Sequence, residues 1–442
     1  MSLVVHAGCT ALYALAFLWI IRKSSFFHVS GIDPKGMQGL FLVKLLAGFG
    51  LWAIYTWYYP YRNTSDAFKY FDDAQVILET LKSNPKHFLQ FLFGIGMDSP
   101  EIIAYFEDMH CWTSSYSYGI AHDNPTIIRI NVLIGLFSFG QYHVHTVFFA
   151  FMSFIGLIAL FKSVAGSIPE RLRFGALVLF ICFPSILLWT SGVLKEGPLI
   201  LGFGLLVYTL FRISDGDRKI RYFVMLFTAF LFLFTLKGYV IIAALPAIIS
   251  FLIFTFWPSA MRKWIFPLVH VILFIVALNA HYFFIGGDLL YVLGMKQTDF
   301  YNVARMTNAG SVIDIPKIDS LFQFIVNYPG AIYRSYFRPD VRDASGAFQM
   351  IGCMESMMTG GLIALALFYR KRIGEMNFLK SAFLLSFILA LGGLIGSVVP
   401  VLGALIRYKV PGVIALLMVL FLIVDWTKLP LINRGIASAH KQ

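Results

Sequence analysis

Charge is scarce in this sequence. Only 13% of its residues are Asp, Glu, Lys or Arg, against about 25% in a soluble globule. Cysteine is scarcer still, at four residues in 442. There is no CxxC, no P-loop, no GxGxxG and no internal repeat, so the usual motif-borne routes to redox chemistry and nucleotide binding are closed. What fills the space is apolar. Hydrophobic residues make up 59% of the chain, 45 of them Phe, and the mean hydropathy is +0.77. Long apolar stretches recur from end to end, which is the pattern of a polytopic membrane protein.

The first of these stretches, residues 3–21, is too long for a signal-peptide core and lacks a basic flank, so it is expected to be a retained helix. Further spans are expected near 39–58, 146–162, 174–190, 197–213, 221–236, 239–257, 264–281, 353–369, 381–399 and 410–426. Residues 126–139 are apolar but fall short of the about 20 residues a crossing needs, and are read as interfacial or re-entrant. The fold class is therefore an all-α polytopic membrane protein of about eleven transmembrane helices. It is read as one integral membrane domain, 1–442, with long loop regions at 59–145 and 282–352 carrying amphipathic or interfacial helices.

This topology puts the loops at 22–38, 163–173, 214–220, 258–263 and 370–380 and the tail on one side. With their flanks they hold more than half of the 35 Lys and Arg and few of the 23 acids. Short loops rich in cations mark the cytoplasmic face. The net charge of +12 is thus a topology signal and not a nucleic-acid footprint. The two long loops then face outward, and loops of that length are commonly functional. Cys111 and Cys353 fall on the outward side, where a disulfide between them would need an oxidising compartment. Cys9 and Cys182 lie in helices as apolar thiols.

The charges that interrupt apolar sequence gather at the same outward ends. "NTSDAFKYFDDAQVILETLK" (63–82) reads as an amphipathic helix along the membrane, capped by Thr64, with Ala67, Phe71, Ala74, Leu78 and Leu81 as its apolar stripe. Asp66, Tyr70 and Asp73 share another face, and Asp72 points away. The face is either a solvated helix start or a carboxylate at the mouth of a cavity. Lys195 and Glu196 occupy the turn before residue 197, either reaching to water or binding. Lys237 sits with Gly238 in a tight turn. In "ALIRYKVP" (404–411), Arg407 and Lys409 precede Pro411, which favours a chain break before the last span. Arg334, Arg338 and Arg342 recur every four residues, as a solvated stripe or an anion contact, and Glu355 opens a span. His110, His122, His143 and His145 share the first outer loop without ligand-spaced partners, so no metal site is assigned to them.

Lys195, Lys237, Arg407 and Lys409 would make a cationic nest if their turns converge, beside the Asp66 carboxylate. Transfer of a sugar from a lipid phosphate requires such a set. The cations stabilise the leaving phosphate, and the carboxylate takes the acceptor's proton or holds a metal ion. A divalent metal is compatible with this chemistry, but no pattern demands one.

"SDAFKYFDDA", "FPSILLWTSGVLKEG", "YFRPDVRDASGAFQMIGCMES" and "RYKVP", in that order over residues 60–420, resemble the GT-C superfamily of polyprenyl-phosphate-sugar-dependent glycosyltransferases. The closer likeness is to a poorly characterised bacterial branch. The resemblance implies a lipid-linked sugar donor, an acceptor that is a glycan, lipid or protein, and inverting transfer at the extracytoplasmic face of a bacterial inner membrane. It puts Asp66 in the catalytic position, with Asp73 about two turns on as the alternative, and Arg407 on the lipid phosphate, helped by Lys409, Lys195 or Lys237. Tyr70, Glu196, Arg338 and Glu355 are further candidates. Two other classes compete. A polymerase or ligase joining lipid-linked glycans would lean on the long-loop arginines. A transporter or flippase often carries repeats and mid-membrane polar residues; no repeat is seen and the interrupting charges sit at outer ends, so this reading ranks last.

Overall fold

The computed structural model describes residues 3–59, 61–113, 123–257, 262–282, 287–344 and 346–428. Among the described residues helix dominates, no strand forms, and β-pairing is limited to isolated bridges. The chain divides into two compact units. The first comprises Met1–Ser163, Glu170–Ile213 and Arg218–Gly238, and the second Val164–Pro169, Ser214–Asp217 and Tyr239–Gln442.

The first unit is built from α1 (Leu3–Lys23), α2 (Pro34–Trp57), α3 (Asp66–Ser83), α4 (Pro85–Phe93), α5 (Pro100–Ile103), α6 (Asp123–Ser138), α7 (Tyr142–Val164), α8 (Arg173–Cys182), α9 (Pro184–Trp189), α10 (Glu196–Ser214) and the first half of α11 (Ile220–Phe256). Local chemistry sets several of these ends. Asp33 caps α2 by accepting the Lys35 N–H at 3.2 Å, and Pro34 occupies the first turn, where its missing N–H costs nothing. Ser65, not the expected Thr64, is the residue before α3; Thr64 belongs to a short 3-10 turn, its hydroxyl donating to the Tyr61 carbonyl. Ala67, Phe71 and Ala74 of the apolar stripe of α3 are buried, while Leu81 is exposed. Helices α4 and α6 pack against α3.

The second unit continues α11 and adds α12 (Arg262–Leu278), α13 (Leu289–Met306), α14 (Leu321–Phe337), α15 (Ala347–Phe368), α16 (Glu375–Val398), α17 (Leu402–Tyr408) and α18 (Val410–Ile423). Its centre is α16, packed against α14 and α18. The approach of α14 is close. A Cβ on Gly396 would stand 2.0 Å from the Ala331 carbonyl oxygen, so only glycine fits there. The Ser335 hydroxyl donates to Gly392 O at 2.5 Å, and the Tyr336 hydroxyl to Ile388 O at 2.8 Å.

Among the described residues six helices are long and apolar enough to cross a bilayer: α2, α7, α10, α11, α15 and α16. The pair α17–α18, bent by 48°, makes a seventh when counted as one broken span. The protein is thus a multi-pass helical membrane protein, with fewer such helices than the eleven spans expected. One reason is Pro184, which holds Phe183 extended (φ −59°, ψ 130°) and splits the expected span 174–190 into α8 and α9. The stretch α11 is two helices joined at a kink at Lys237 (φ −153°, ψ 81°), so the expected spans 221–236 and 239–257 are both helical and part where the turn at Lys237 was expected, although they count as one among the six. Helix α12 stops at Leu278, after 17 residues. The bend between α17 and α18 falls where Pro411 was expected to place a break. All four cysteines are free, so Cys111 and Cys353 form no disulfide.

Candidate functional site

In the first unit, the turn from Thr190 to Lys195 is buried throughout. Helix α2 seats it. A Cβ on Gly48 would stand 2.4 Å from the Ser191 carbonyl oxygen, so glycine is what lets the turn approach. One turn along, the fully buried Lys44 ammonium donates to the Thr190 hydroxyl at 2.6 Å and the Ser191 hydroxyl at 3.1 Å. Leu194, at the end of the turn, joins a buried cluster with Leu51, Tyr55, Ala67 and Phe68. The turn therefore ties α2 to α3, and what it holds out is Lys195 and Glu196.

Neither charge reaches to water. Lys195 is 6% exposed, and its ammonium donates to Asp123 Oδ2 at 2.6 Å and Asn124 Oδ1 at 2.5 Å. It also lies 5.2 Å from the centre of the Tyr70 ring, a cation–π distance. Glu196 is wholly buried and accepts from the Lys237 ammonium at 3.1 Å. The break at Lys237 is what turns that side chain out of a helix that is otherwise apolar. Two residues earlier, Thr235 O accepts from the Thr126 hydroxyl at 3.0 Å, linking α6 to the same stretch of α11. Tyr70, Lys195, Glu196 and Lys237 thus belong to one polar cluster with Asp123 and Asn124, drawn from four segments.

Asp73 has a different task. Its carboxylate accepts the backbone N–H groups of His110 at 2.7 Å, Cys111 at 2.8 Å and Trp112 at 3.0 Å. Burial pushes its carboxyl above the usual range, and the three N–H bonds pull it part of the way back. Asn124 Nδ2 donates to the Cys111 carbonyl at 3.1 Å, so the chain of contacts runs from Asp73 through residues 110–112 to Asn124 and Lys195. The Cys111 thiol is pushed up to about 12, first by burial and then by the charges of Asp73 and Asp66, with Lys69 and Lys195 opposing. Asp66 is half-buried at the first turn of α3, where the helix N-terminus favours an anion. Asp72 points away, as expected, and pairs with Arg62 at 2.6 Å.

Sequence reasoning missed Asp123 and Asn124. A signal was there: "DNP" at 123–125 is an acid with a proline in a helix's first turn. Burial alone would raise the Asp123 carboxyl; Lys195 beside it and Lys237 farther off hold it below the usual range. Replacing Lys195 with Met should therefore raise the Asp123 carboxyl from where the wild type holds it, because it removes both the nearby charge and the hydrogen bond that oppose burial. Infrared difference spectroscopy, with Asp123→Asn as the assignment control, reads this directly. An unmoved midpoint would show that Lys195 is not its counter-charge.

In the second unit Lys409 sits at the break between α17 and α18, fully buried. It forms an ion pair with Glu355 at 3.4 Å and donates to the Arg338 carbonyl at 3.4 Å. The Arg338 guanidinium makes two hydrogen bonds to Asp343, whose side chain strengthens its hold on the proton. Arg342 pairs with Asp340, and Arg334 donates to Gly396 O at 3.2 Å. Arg338 and Arg342 are therefore held by acids close in sequence, and Arg334 by a carbonyl of α16. Arg407 lies half-buried in the last turn of α17, the end of a helix that favours a cation. His145 is buried between Asn131 and Ser138 at 2.8 and 2.9 Å, and the His143 ring stands edge-on to Trp52. His122 is outside the described residues. Among the described residues, no three His, Cys, Asp or Glu side chains are grouped to hold a metal ion.

No family model matches the chain, and no curated protein or solved structure matches it.

Proposed function

We propose that this protein is a membrane glycosyltransferase that moves a sugar from a polyprenyl-phosphate donor to an acceptor on the extracytoplasmic face of a bacterial inner membrane. The observation that carries the reading is the buried charge cluster of the first unit. Tyr70, Lys195, Asp123 and Asn124 meet there, with Glu196 paired to Lys237. Ionised side chains inside a membrane protein are costly and mark substrate sites. Ion pairs of this kind also hold cations ready for a phosphate. Asp123 is half exposed, so an incoming anion can take its place on Lys195.

The reaction has few parts. The acceptor hydroxyl attacks the anomeric carbon of the donor sugar. The bond from that carbon to the phosphate oxygen breaks, and the phosphate leaves with the electron pair. Asp66 takes the hydroxyl proton, and cations stabilise the charge gathering on the phosphate. Lys195 and Lys237 are the cations of the first unit. Arg407, in the last turn of α17, keeps the lipid-phosphate role that the resemblance implies, its guanidinium being a planar fork of donors suited to a phosphate. The tethering of Arg338 and Arg342 to local acids weighs against a glycan ligase that would use the loop arginines on substrate.

The test is donor binding and transfer by the purified protein with a polyprenyl-phosphate sugar. Hydrogen bonds to charged groups contribute roughly 1.5–3 kcal/mol, and about 1.4 kcal/mol is a factor of ten. Arg407→Gln is therefore expected to weaken donor binding by about ten- to a hundredfold, and Arg407→Lys to be a partial loss. Unchanged affinity in a well-folded Arg407→Gln protein would show that this arginine holds no phosphate.

A further inference from the structure

The second unit contains a groove of about 920 Å³ that neither the charge cluster nor the Arg407 segment uses. One wall is α13, presenting Tyr291, Thr298, Tyr301 and Asn302; the other is the segment 314–319, presenting Asp314, Lys317 and Asp319. The volume is at the upper end of small-molecule sites, about 300–1,000 Å³.

The groove's walls are held in place. The Tyr301 hydroxyl accepts the Ile315 N–H at 3.2 Å. Gln297 Nε2 donates to Pro316 O at 2.9 Å and Ser397 O at 3.0 Å. A β-bridge joins Val312 to Val401, with Ile313 N–H on Pro400 O at 2.8 Å and Leu402 N–H on Ser311 O at 2.9 Å. A loop this well tied is a preformed surface.

Its chemistry narrows the ligand. Asp288, Asp314 and Asp319 are nearly balanced by Arg305 and Lys317, so the lining selects neither a strong anion nor a strong cation. The acids are not grouped to hold a metal ion among the described residues. An apolar ligand would strand the carboxylates and amides dry, which is unfavourable. What remains is a neutral molecule that offers many hydroxyls to spaced donors and acceptors and a flat C–H face to tyrosine rings. We propose that the groove binds an oligosaccharide. The same structure joins it to the Arg407 segment. Residues 311–313 are bonded to 400–402, where α17 begins, and Phe300 of α13 touches the Tyr408 ring at 6.0 Å between centres. The bound chain is then the glycan acceptor. That role rests on the transferase reading; the binding does not.

The experiment measures binding of maltotetraose, chitotetraose and mannotetraose to the full-length protein in amphipol, by saturation-transfer NMR titration. At least one is expected to bind saturably. Tyr291→Ala removes an exposed ring and Asp314→Asn an exposed carboxylate, so both variants should fold normally. Each is expected to weaken binding about tenfold. Absence of binding by all three sugars overturns the proposal, as does binding that both variants leave untouched. A protein that binds a tetrasaccharide but transfers no sugar keeps the groove and refutes the transferase. One that transfers sugar but binds none of the three does the reverse.

Discussion

Asp66→Asn is expected to slow sugar transfer by about 10²–10⁴-fold, the usual contribution of a positioned general base, while leaving donor binding and the fold intact. The substitution keeps the side chain's shape and removes its basicity. Asp66 is half-buried at the start of α3, on the helix that also carries Tyr70. The comparison with Asp73→Asn separates chemistry from architecture. The Asp73 carboxylate already accepts three backbone N–H groups. An amide there turns a donor towards donors and leaves buried groups unpaired, which costs about 1–3 kcal/mol for each. Asp73→Asn should therefore lower the unfolding temperature, and its loss of activity should track the loss of folded protein. Normal turnover by Asp66→Asn would remove Asp66 from the mechanism. If Asp73→Asn stays fully folded but loses turnover, the base is Asp73, about two turns further along α3.

Lys237→Met is expected to destabilise the protein by about 3–5 kcal/mol, the usual result of removing one partner of a buried ion pair. Glu196 is wholly buried, and Lys237 is 4% exposed at its side chain, so the carboxylate left behind has no route to water. Removing both charges should recover most of the loss. Lys237→Met with Glu196→Leu replaces an ion pair by apolar groups of similar size, which is often neutral or better for stability. The double variant also exposes what the pair is for. If it serves substrate, the double variant folds but no longer transfers sugar or binds the donor normally. A folded, fully active double variant would make the pair purely structural. Thermal unfolding and donor titration on the three proteins decide between these outcomes.

Legibility of the site differed from residue to residue. Lys195, Glu196 and Lys237 stood out because a charge in apolar sequence is expensive and so rarely idle. The bend at α17–α18 stood out because Pro411 has no N–H to give a helix. Their partners did not. Asp123 is 72 residues from Lys195, and Lys44 is 146 from Thr190. An isolated acid at a helix start looks the same whether it faces solvent or a lysine. The arginine repeat misled in the opposite direction. Its spacing suggested a common face, but Arg338 lies beyond the end of α14 and folds back onto Asp343. Pro184 was visible, yet its neighbours were apolar enough to pass as one continuous span.

The sequence by itself determined that this is a helical, multi-pass membrane protein, because apolar runs of sufficient length leave backbone groups no satisfactory partner in lipid except a helix. It also determined which charges were anomalous, since their cost is local. Only the tertiary structure decided what those charges hold. Lys195 has Asp123 and Asn124, Lys237 has Glu196, Lys409 has Glu355, and Asp73 holds a loop. The physical reason is range. The cost of a buried charge is a property of the residue and its neighbours in sequence, whereas its compensation is a contact a few ångströms long, brought about by packing between segments far apart in the chain.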